Sequence, residues 1–350
     1  MIHNINMKNV KLYNIYLFIS TFSRNIIDIY IPIFLYQKGI NIRNILGIYI
    51  IIYLMGIFIS YMSIKIGNFI GYKYILILSS ILTSLCFYIL QDSNNIYLIS
   101  LIVSLSMFTY HPIRHIYGIK LFGSKIKVGK MLILQYLASI VSSLFVIRKI
   151  KRIYLIFIAL VSIIPSIWME REDSKKIKYN QSISKRRFCF YVFDQFKILF
   201  LLLEPLYLYI IKNQVSYIGI FNIIINISAI IYLYNISKYK NIDGWYQYLN
   251  IIFTIILLLK KNISNKIFLV VLTFLEGLGI KINEYISILN LYEIDTDNLE
   301  GHILISEIIF CVIRVLILLL FYLLQIKLRY IMYILLVGIF ILSFQYKKDY

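Results

Sequence analysis

The side chains able to do chemistry in this sequence are few, and most of them stand inside long apolar runs. Arg24 and Asp28 are four residues apart, which on a helix puts them on one face within reach of each other. A carboxylate there can take up a proton or meet a solute with Arg24 holding it, or the two can simply neutralise each other. His111, Arg114 and His115 form a second group, and Pro112 between them is able to break or kink a helix. His111 and His115 share a helical face, the spacing of a metal-binding pair, but no carboxylate follows in the pattern a zinc hydrolase uses. We therefore assign no metal. His111 is instead a group able to titrate near neutral pH, while Arg114 and His115 read as lying at the headgroup end of their helix.

The second half of the chain holds the remaining candidates. Glu204 precedes Pro205 in the run LFLLLEPLYLYII, where carbonyls freed by the proline add ligands for an ion or proton. Glu276-Gly277-Leu278-Gly279 opens a polar stretch with Lys281, Asn283 and Glu284, and its glycines can hinge a helix. Glu307 and Arg314 are seven apart, two turns along one side, where Arg314 suits an anionic solute or an acid from elsewhere in the chain. Asn222 and Asn226 are four apart and either bind a neutral solute or join helices. Such residues are costly at membrane depth, at least ~2.5 kcal/mol each, so each needs a partner or a task.

The elements that must position them follow from composition. The 350 residues are 61% hydrophobic and only 15% charged, against about 45–50% and about 25% in soluble chains. That excludes a soluble fold and a disordered chain. The net charge of +20 also does not describe a nucleic-acid binder, because most windows have no polar face to carry it. Apolar runs near 15–36, 44–64, 72–91, 95–113, 131–147, 153–169, 189–211, 216–235, 246–259, 267–286, 302–325 and 330–346 predict an all-α membrane protein of about twelve transmembrane helices. The polar stretch EREDSKKIKYNQSISKRR divides it into an N-terminal six-helix bundle (1–169), a cytoplasmic linker (170–188) and a C-terminal six-helix bundle (189–350). Lys8 and Lys11 precede an apolar run with no small-residue cleavage site, which predicts a retained first helix.

With both termini cytoplasmic, the inner connections hold 20 of the 36 lysines and arginines and the outer ones 12. The remaining four, Arg24, Lys197, Lys281 and Arg314, fall within spans. This is the bias of a multi-pass protein of the cell membrane. The stretch Arg148 to Arg152 would lie outside, against the bias. Tyr72, Tyr74, Tyr88 and Tyr97 at span ends read as an aromatic belt. Cys86, Cys189 and Cys311 read as small buried hydrophobes.

The first 125 residues resemble a major facilitator superfamily transporter of a divergent bacterial branch. The likeness is carried by Pro32-Ile33-Phe34-Leu35-Tyr36-Gln37-Lys38-Gly39, which ends the first helix, by YHP-x-x-H, and by E-I-x-x-x-x-x-R. It is carried as well by the connection after the second helix. There the family's G-x-x-x-D-R-x-G-R-K has Ile64 for the first glycine, Asn68 for the acid, Phe69 for the arginine, and Gly71 and Lys73 as matches. The resemblance implies two six-helix bundles, a central cavity and alternating access. Together with the residues above it predicts a secondary transporter, not an enzyme, coupling a small-molecule solute to protons. Its partners would be the bilayer, the solute and protons, with no cofactor and no nucleic acid, and the chain is expected to be a monomer. The alternatives are a membrane-embedded transferase using the acidic loop YEIDTDNLEGH around Mg²⁺, and a non-transporting membrane subunit.

Overall fold

The computed structural model describes residues 7–92, 95–122, 125–148, 151–171, 185–236, 255–256, 268–279 and 299–345. All regular structure among them is helical. In chain order the helices are α1 (Met7–Gln37), α2 (Ile42–Ile70), α3 (Tyr72–Asp92), α4 (Ile96–Phe122), α5 (Lys125–Ile147), α6 (Arg152–Val161), α7 (Ile163–Trp168), α8 (Lys185–Lys212) and α9 (Val215–Ile236). They continue with α10 (Phe268–Gly279), α11 (Leu299–Leu323) and α12 (Leu328–Gln345). Seven of these, α1 to α5, α9 and α11, are long and apolar enough to cross a membrane. At 1.5 Å per residue, the 29 residues of α2 reach about 43 Å, more than the ~30 Å of a bilayer core.

The helices reverse the polarity of a soluble bundle. On α2 the residues Leu54, Phe58, Met62 and Ile66 recur every fourth position and are exposed, whereas Tyr49, Tyr53, Ser60 and Ser63 are buried. Apolar side chains facing outward and hydroxyls facing inward suit a lipid surround, where polar groups must be satisfied inside the protein. Cys86 and Cys311 are buried free thiols, as expected of small hydrophobes.

The chain forms two compact units. The first comprises residues 1–124, 150–182 and 292–325; the second comprises 125–149, 183–291 and 326–350. In the first unit α2 packs on α11 and α4, α3 on α4, α6 and α7, and α1 on α7. In the second, α5 packs on α9 and α12 on α8. Gly277 makes a close approach possible there: a Cβ at this position would stand 2.7 Å from the Ile225 Cα, so α10 lies directly against the backbone of α9.

Helix ends explain where the boundaries fall. The element from Pro32 to Gly39 closes α1 with paired bonds, Gly39 N to Tyr36 O at 2.9 Å and Ile40 N to Leu35 O at 3.1 Å, around Gly39 at φ +83°. Asn41 then caps α2, its side chain accepting from Asn44 N at 2.8 Å.

The run expected as one span over 153–169 is two helices, α6 and α7, meeting at Ser162. Pro165 explains the break, because it has no N–H for the Val161 carbonyl four residues back and its ring crowds that oxygen. Pro112 and Pro205, read as able to break or kink their helices, sit within α4 and α8, which continue past them. α5 begins six residues before the expected 131, the lysines of its first turns having read as connection. Of the span expected at 246–259 only 255–256 lie among the described residues, and 172–184 of the linker, Lys281, Asn283, Glu284 and the Cys189 side chain lie outside them.

Candidate functional site

Arg24, in the middle of α1, is 6% exposed, and its surroundings are built to hold a cation. One terminal nitrogen donates to the Ser106 carbonyl at 2.8 Å and to its Oγ at 3.4 Å; the other donates to the Ser79 carbonyl at 3.2 Å. Serines and threonines in α3 and α4 prepare this cradle, with Thr83 Oγ1 donating to the Ser79 carbonyl at 2.7 Å and lying 3.0 Å from Ser106 Oγ. The guanidinium also stacks on Tyr110, 3.9 Å from the ring centroid, and the Tyr110 hydroxyl is 3.2 Å from Ser20 Oγ. Arg24 is therefore fixed by carbonyl dipoles and an aromatic face.

Asp28 lies one turn further along α1 and is half-buried. The expected Arg24–Asp28 ion pair is not formed: among the described residues no salt bridge reaches Asp28, since Arg24 points its donors at α3 and α4. Both Arg24 and Arg114 lie within electrostatic reach of Asp28.

α4 brings His111, Arg114 and His115 to the same region. The Arg114 guanidinium carbon also lies 5.5 Å from the Tyr110 ring centroid, and its Nη2 is 3.2 Å from His115 Nε2. α4 runs on to Phe122, so Arg114 lies about 12 Å short of the helix end. His115 Nδ1 is buried without a hydrogen-bond partner among the described residues. His111 is half-buried and lies within electrostatic reach of Arg24, Arg114 and Arg314.

α11 completes the group. Glu307 and Arg314 lie about 12 and 22 Å along it, and Arg314 rests 5.0 Å from the Tyr53 ring centroid. Glu307 is 8% exposed and in electrostatic reach of Arg314 and Arg114. Tyr49 stacks one turn from Tyr53, ring centroids 6.3 Å apart, and its buried hydroxyl has no hydrogen-bond partner among the described residues. The first unit thus collects Arg24, Asp28, His111 and Arg314, together with Arg114 and Glu307, all of which the sequence had singled out.

Glu204 and Glu276 belong to the second unit. Glu204 is 8% exposed on α8, and Glu276 is fully buried on α10. α8 also carries an ion pair that sequence reading passed over, Lys197 Nζ to Asp194 Oδ1 at 2.5 Å, three residues apart and buried. Asn222 reaches Ser143 Oγ on α5 at 2.7 Å and Asn226 donates to Asn222 Oδ1 at 2.9 Å, so this pair joins helices.

The connection after α2 is a mutual cap between cations and helix ends. Gly71 turns the chain at φ +112°, a conformation that suits glycine. Lys73 Nζ donates to the Met169 carbonyl at 2.9 Å at the end of α7, and Arg171 Nη2 donates back to the Phe69 carbonyl at 3.1 Å at the end of α2. Asn68 is half-buried in the last turn of α2.

At the neighbouring ends of α3, α4 and α11, Lys120 Nζ pairs with Glu300 Oε1 at 2.8 Å, and Tyr72 donates to the same oxygen at 3.5 Å. Tyr72 is therefore buried and not part of a belt, unlike Tyr74, Tyr88 and Tyr97, which are exposed. Glu300, one acid of the YEIDTDNLEGH segment, is spent in this pair; Glu293, Asp295 and Asp297 lie outside the described residues. Among the described residues no group of three or more His, Cys, Asp or Glu side chains is placed to hold a metal.

No family model matches the chain, and a search of curated proteins finds no match. Solved structures do match over nearly the whole length. The nucleoside transporter NupG superposes with a TM-score of 0.68 at 13% identity, covering 97% of this chain and 98% of its own. The human organic anion transporter MFSD10 gives 0.68 at 10%, covering 97% and 99%. The E. coli fucose:proton symporter FucP gives 0.64 at 12%, covering 99% and 100%. The chain shares the fold of these three proteins. It is the fold that the Pro32–Gly39 element and the connection at Gly71 and Lys73 pointed to, reached here with little identity of sequence.

Proposed function

We propose that this protein is a multi-pass secondary transporter that moves a small solute by alternating access and couples it to protons. One observation carries the reading: charged side chains from three helices, Arg24 and Asp28 of α1, His111 and Arg114 of α4, and Glu307 and Arg314 of α11, gather within the apolar helices of the first unit. Buried charge of this kind is costly and marks solute or proton pathways. The folds it is similar to belong to proteins named for nucleoside, organic anion and fucose:proton transport, which supports the class.

In this reading Asp28 and Glu307 carry the proton. Each is a carboxylate near arginines without a salt bridge to them among the described residues, so protonation breaks no ion pair. Arg24, held by carbonyls, sets the field around Asp28 without leaving its place. Alternating access would move two six-helix halves, 1–169 and 189–350, with the linker between them and both termini in the cytoplasm. Asn68, Gly71 and Lys73 would stiffen the inner end of the first half through the caps on α2 and α7. Glu204 and Glu276 are the second half's candidates for the coupled ion.

The test is uptake by proteoliposomes loaded against an inward pH gradient, read by mass spectrometry on a mixed metabolite pool. A solute accumulates in proportion to the gradient, a protonophore abolishes accumulation, and Asp28→Asn lowers gradient-driven accumulation at least tenfold while solute exchange persists. Accumulation that ignores both the protonophore and the substitution of Asp28, Glu204 and Glu276 together would remove these residues from proton coupling.

A further inference from the structure

Where α2, α3 and α7 meet at one end of the first unit, three cations stand on the outside of the helices among large apolar side chains. Lys65 and Arg171 are exposed and Lys73 is half-exposed. Beside them Phe69 is 77% exposed and Trp168 65%, and Tyr74 is exposed as well. Aromatic rings and basic side chains together suit the boundary between acyl chains and headgroups.

The cations are held in place by the fold. Lys73 Nζ donates to the Met169 carbonyl at 2.9 Å and to the Ile167 carbonyl at 3.5 Å, and lies 5.2 Å from the Tyr74 ring centroid. Arg171 donates to the Phe69 carbonyl, and its stem passes over Gly71. A Cβ on Gly71 would stand 3.0 Å from Arg171 Cγ and 3.5 Å from the Tyr74 ring, so the bare turn lets both side chains close on it. Lys65 sits one turn before Phe69 on α2, 5.6 Å from the Tyr61 ring centroid. Among the described residues these bonds engage two of the three N–H donors of Lys73 and one of the five of Arg171. A phosphate needs donors held at fixed places, whatever the net charge of the unit.

An apolar stripe leads away from the cations. On α3, Tyr74, Leu78, Ile81 and Leu85 are exposed at helical spacing, and α7, packed on α3, adds Ile164 and Ile167. From Tyr74 to Leu85 the stripe runs about 16 Å, close to half of a ~30 Å bilayer core. Cations at one end and a leaflet's depth of apolar surface beyond them match a phospholipid along its whole length. A soluble phosphate would use the cations alone.

We propose that this surface binds an anionic phospholipid of the bilayer, with its phosphate on Lys65, Lys73 and Arg171, its glycerol beside Phe69 and Trp168, and an acyl chain along α3. Basic clusters at a membrane surface select anionic lipids in this way. The bound lipid bridges the ends of α2, α3 and α7 and adds to the caps that Lys73 and Arg171 make. This goes beyond the transporter reading and does not depend on it.

The test uses the full-length chain with Trp245→Phe, which leaves Trp168 as the only tryptophan of the two in the sequence. The protein is placed in phosphatidylcholine vesicles, and a small fraction of the lipid is exchanged for brominated phosphatidylglycerol or for brominated phosphatidylcholine with the same chains. Quenching of Trp168 fluorescence is expected to be at least threefold greater with the phosphatidylglycerol. The two lipids should quench equally once Lys65→Gln, Lys73→Gln and Arg171→Gln are combined, whereas Arg329→Gln at the exposed start of α12 should keep the preference. Glycerol phosphate in excess should leave the preference in place, since it has no chains. Equal quenching by the two lipids with the cations intact overturns the inference. A preference that survives the triple substitution overturns the assigned cations, and one that glycerol phosphate abolishes shows a site for soluble phosphate and not for lipid. If any of these variants fails to fold, native mass spectrometry on Lys65→Gln alone decides, because Lys65 makes no hydrogen bond among the described residues that the change would break. The ratio of retained phosphatidylglycerol to phosphatidylcholine should then fall at least twofold, and an unchanged ratio overturns the site.

Discussion

Tyr110 shows how much a single side chain organises in this protein. Its ring centroid lies 3.9 Å from the Arg24 guanidinium carbon and 5.5 Å from that of Arg114, so two cations share one aromatic ring. A desolvated cation–π contact is worth about 2 kcal/mol, and a neutral hydrogen bond such as that to Ser20 about 1 kcal/mol. Tyr110→Phe, which keeps the ring, is therefore expected to lower the unfolding midpoint in detergent only slightly, while Tyr110→Leu lowers it by clearly more. Equal effects from the two would show that the hydroxyl, and not the ring, holds the arginines.

These tyrosine roles were not legible in the sequence. With 32 tyrosines in the chain, one that stacks on an arginine looks the same as one in a belt. Arg24, Asp28, His111 and Arg314 were legible, because a charge inside an apolar run is rare enough to stand out. What they touch was not, since the helix-periodic spacing that places Asp28 beside Arg24 says nothing of carbonyls offered by α3 and α4.

At the level of elements, the ends of α3, α4 and α11 are tied by Lys120, Tyr72 and Glu300. The Glu300 side chain is 5% exposed and that of Lys120 is 22% exposed, so the two partners are not equivalent. Lys120→Gln strands a buried carboxylate, a loss on the order of 3 kcal/mol for a buried pair broken from one side. Glu300→Gln leaves a lysine that can extend to water. Lys120→Gln should thus destabilise more than Glu300→Gln, and the double substitution should recover most of the loss in a thermal unfolding series. A double variant as unstable as the sum of the single ones would remove the coupling. Helix existence was legible because a bilayer demands about 20 apolar residues in a row. Helix ends were less so: Lys125 and Lys127 read as a connection yet lie in α5, and Pro165 divides a run that hydropathy alone joins. Hydropathy averages over a window and is insensitive to a single missing N–H.

At the scale of the molecule, 61% hydrophobicity resolves into helices whose exposed faces are apolar and whose buried faces carry hydroxyls, arginines and acids. The fold matches solved transporters over 97% or more of the chain at 10–13% identity, which shows how weakly the architecture constrains individual residues. Function has to be sought in the few charges of the first unit. The measurement that bears most directly on this is intravesicular pH, recorded with a trapped dye, when a transported solute is added to proteoliposomes at zero initial gradient. The wild-type protein should acidify the lumen as the solute enters, and Asp28→Asn with Glu307→Gln should abolish that acidification while solute exchange continues. Solute entry with no change of luminal pH, or acidification that persists in the double variant, would contradict the account.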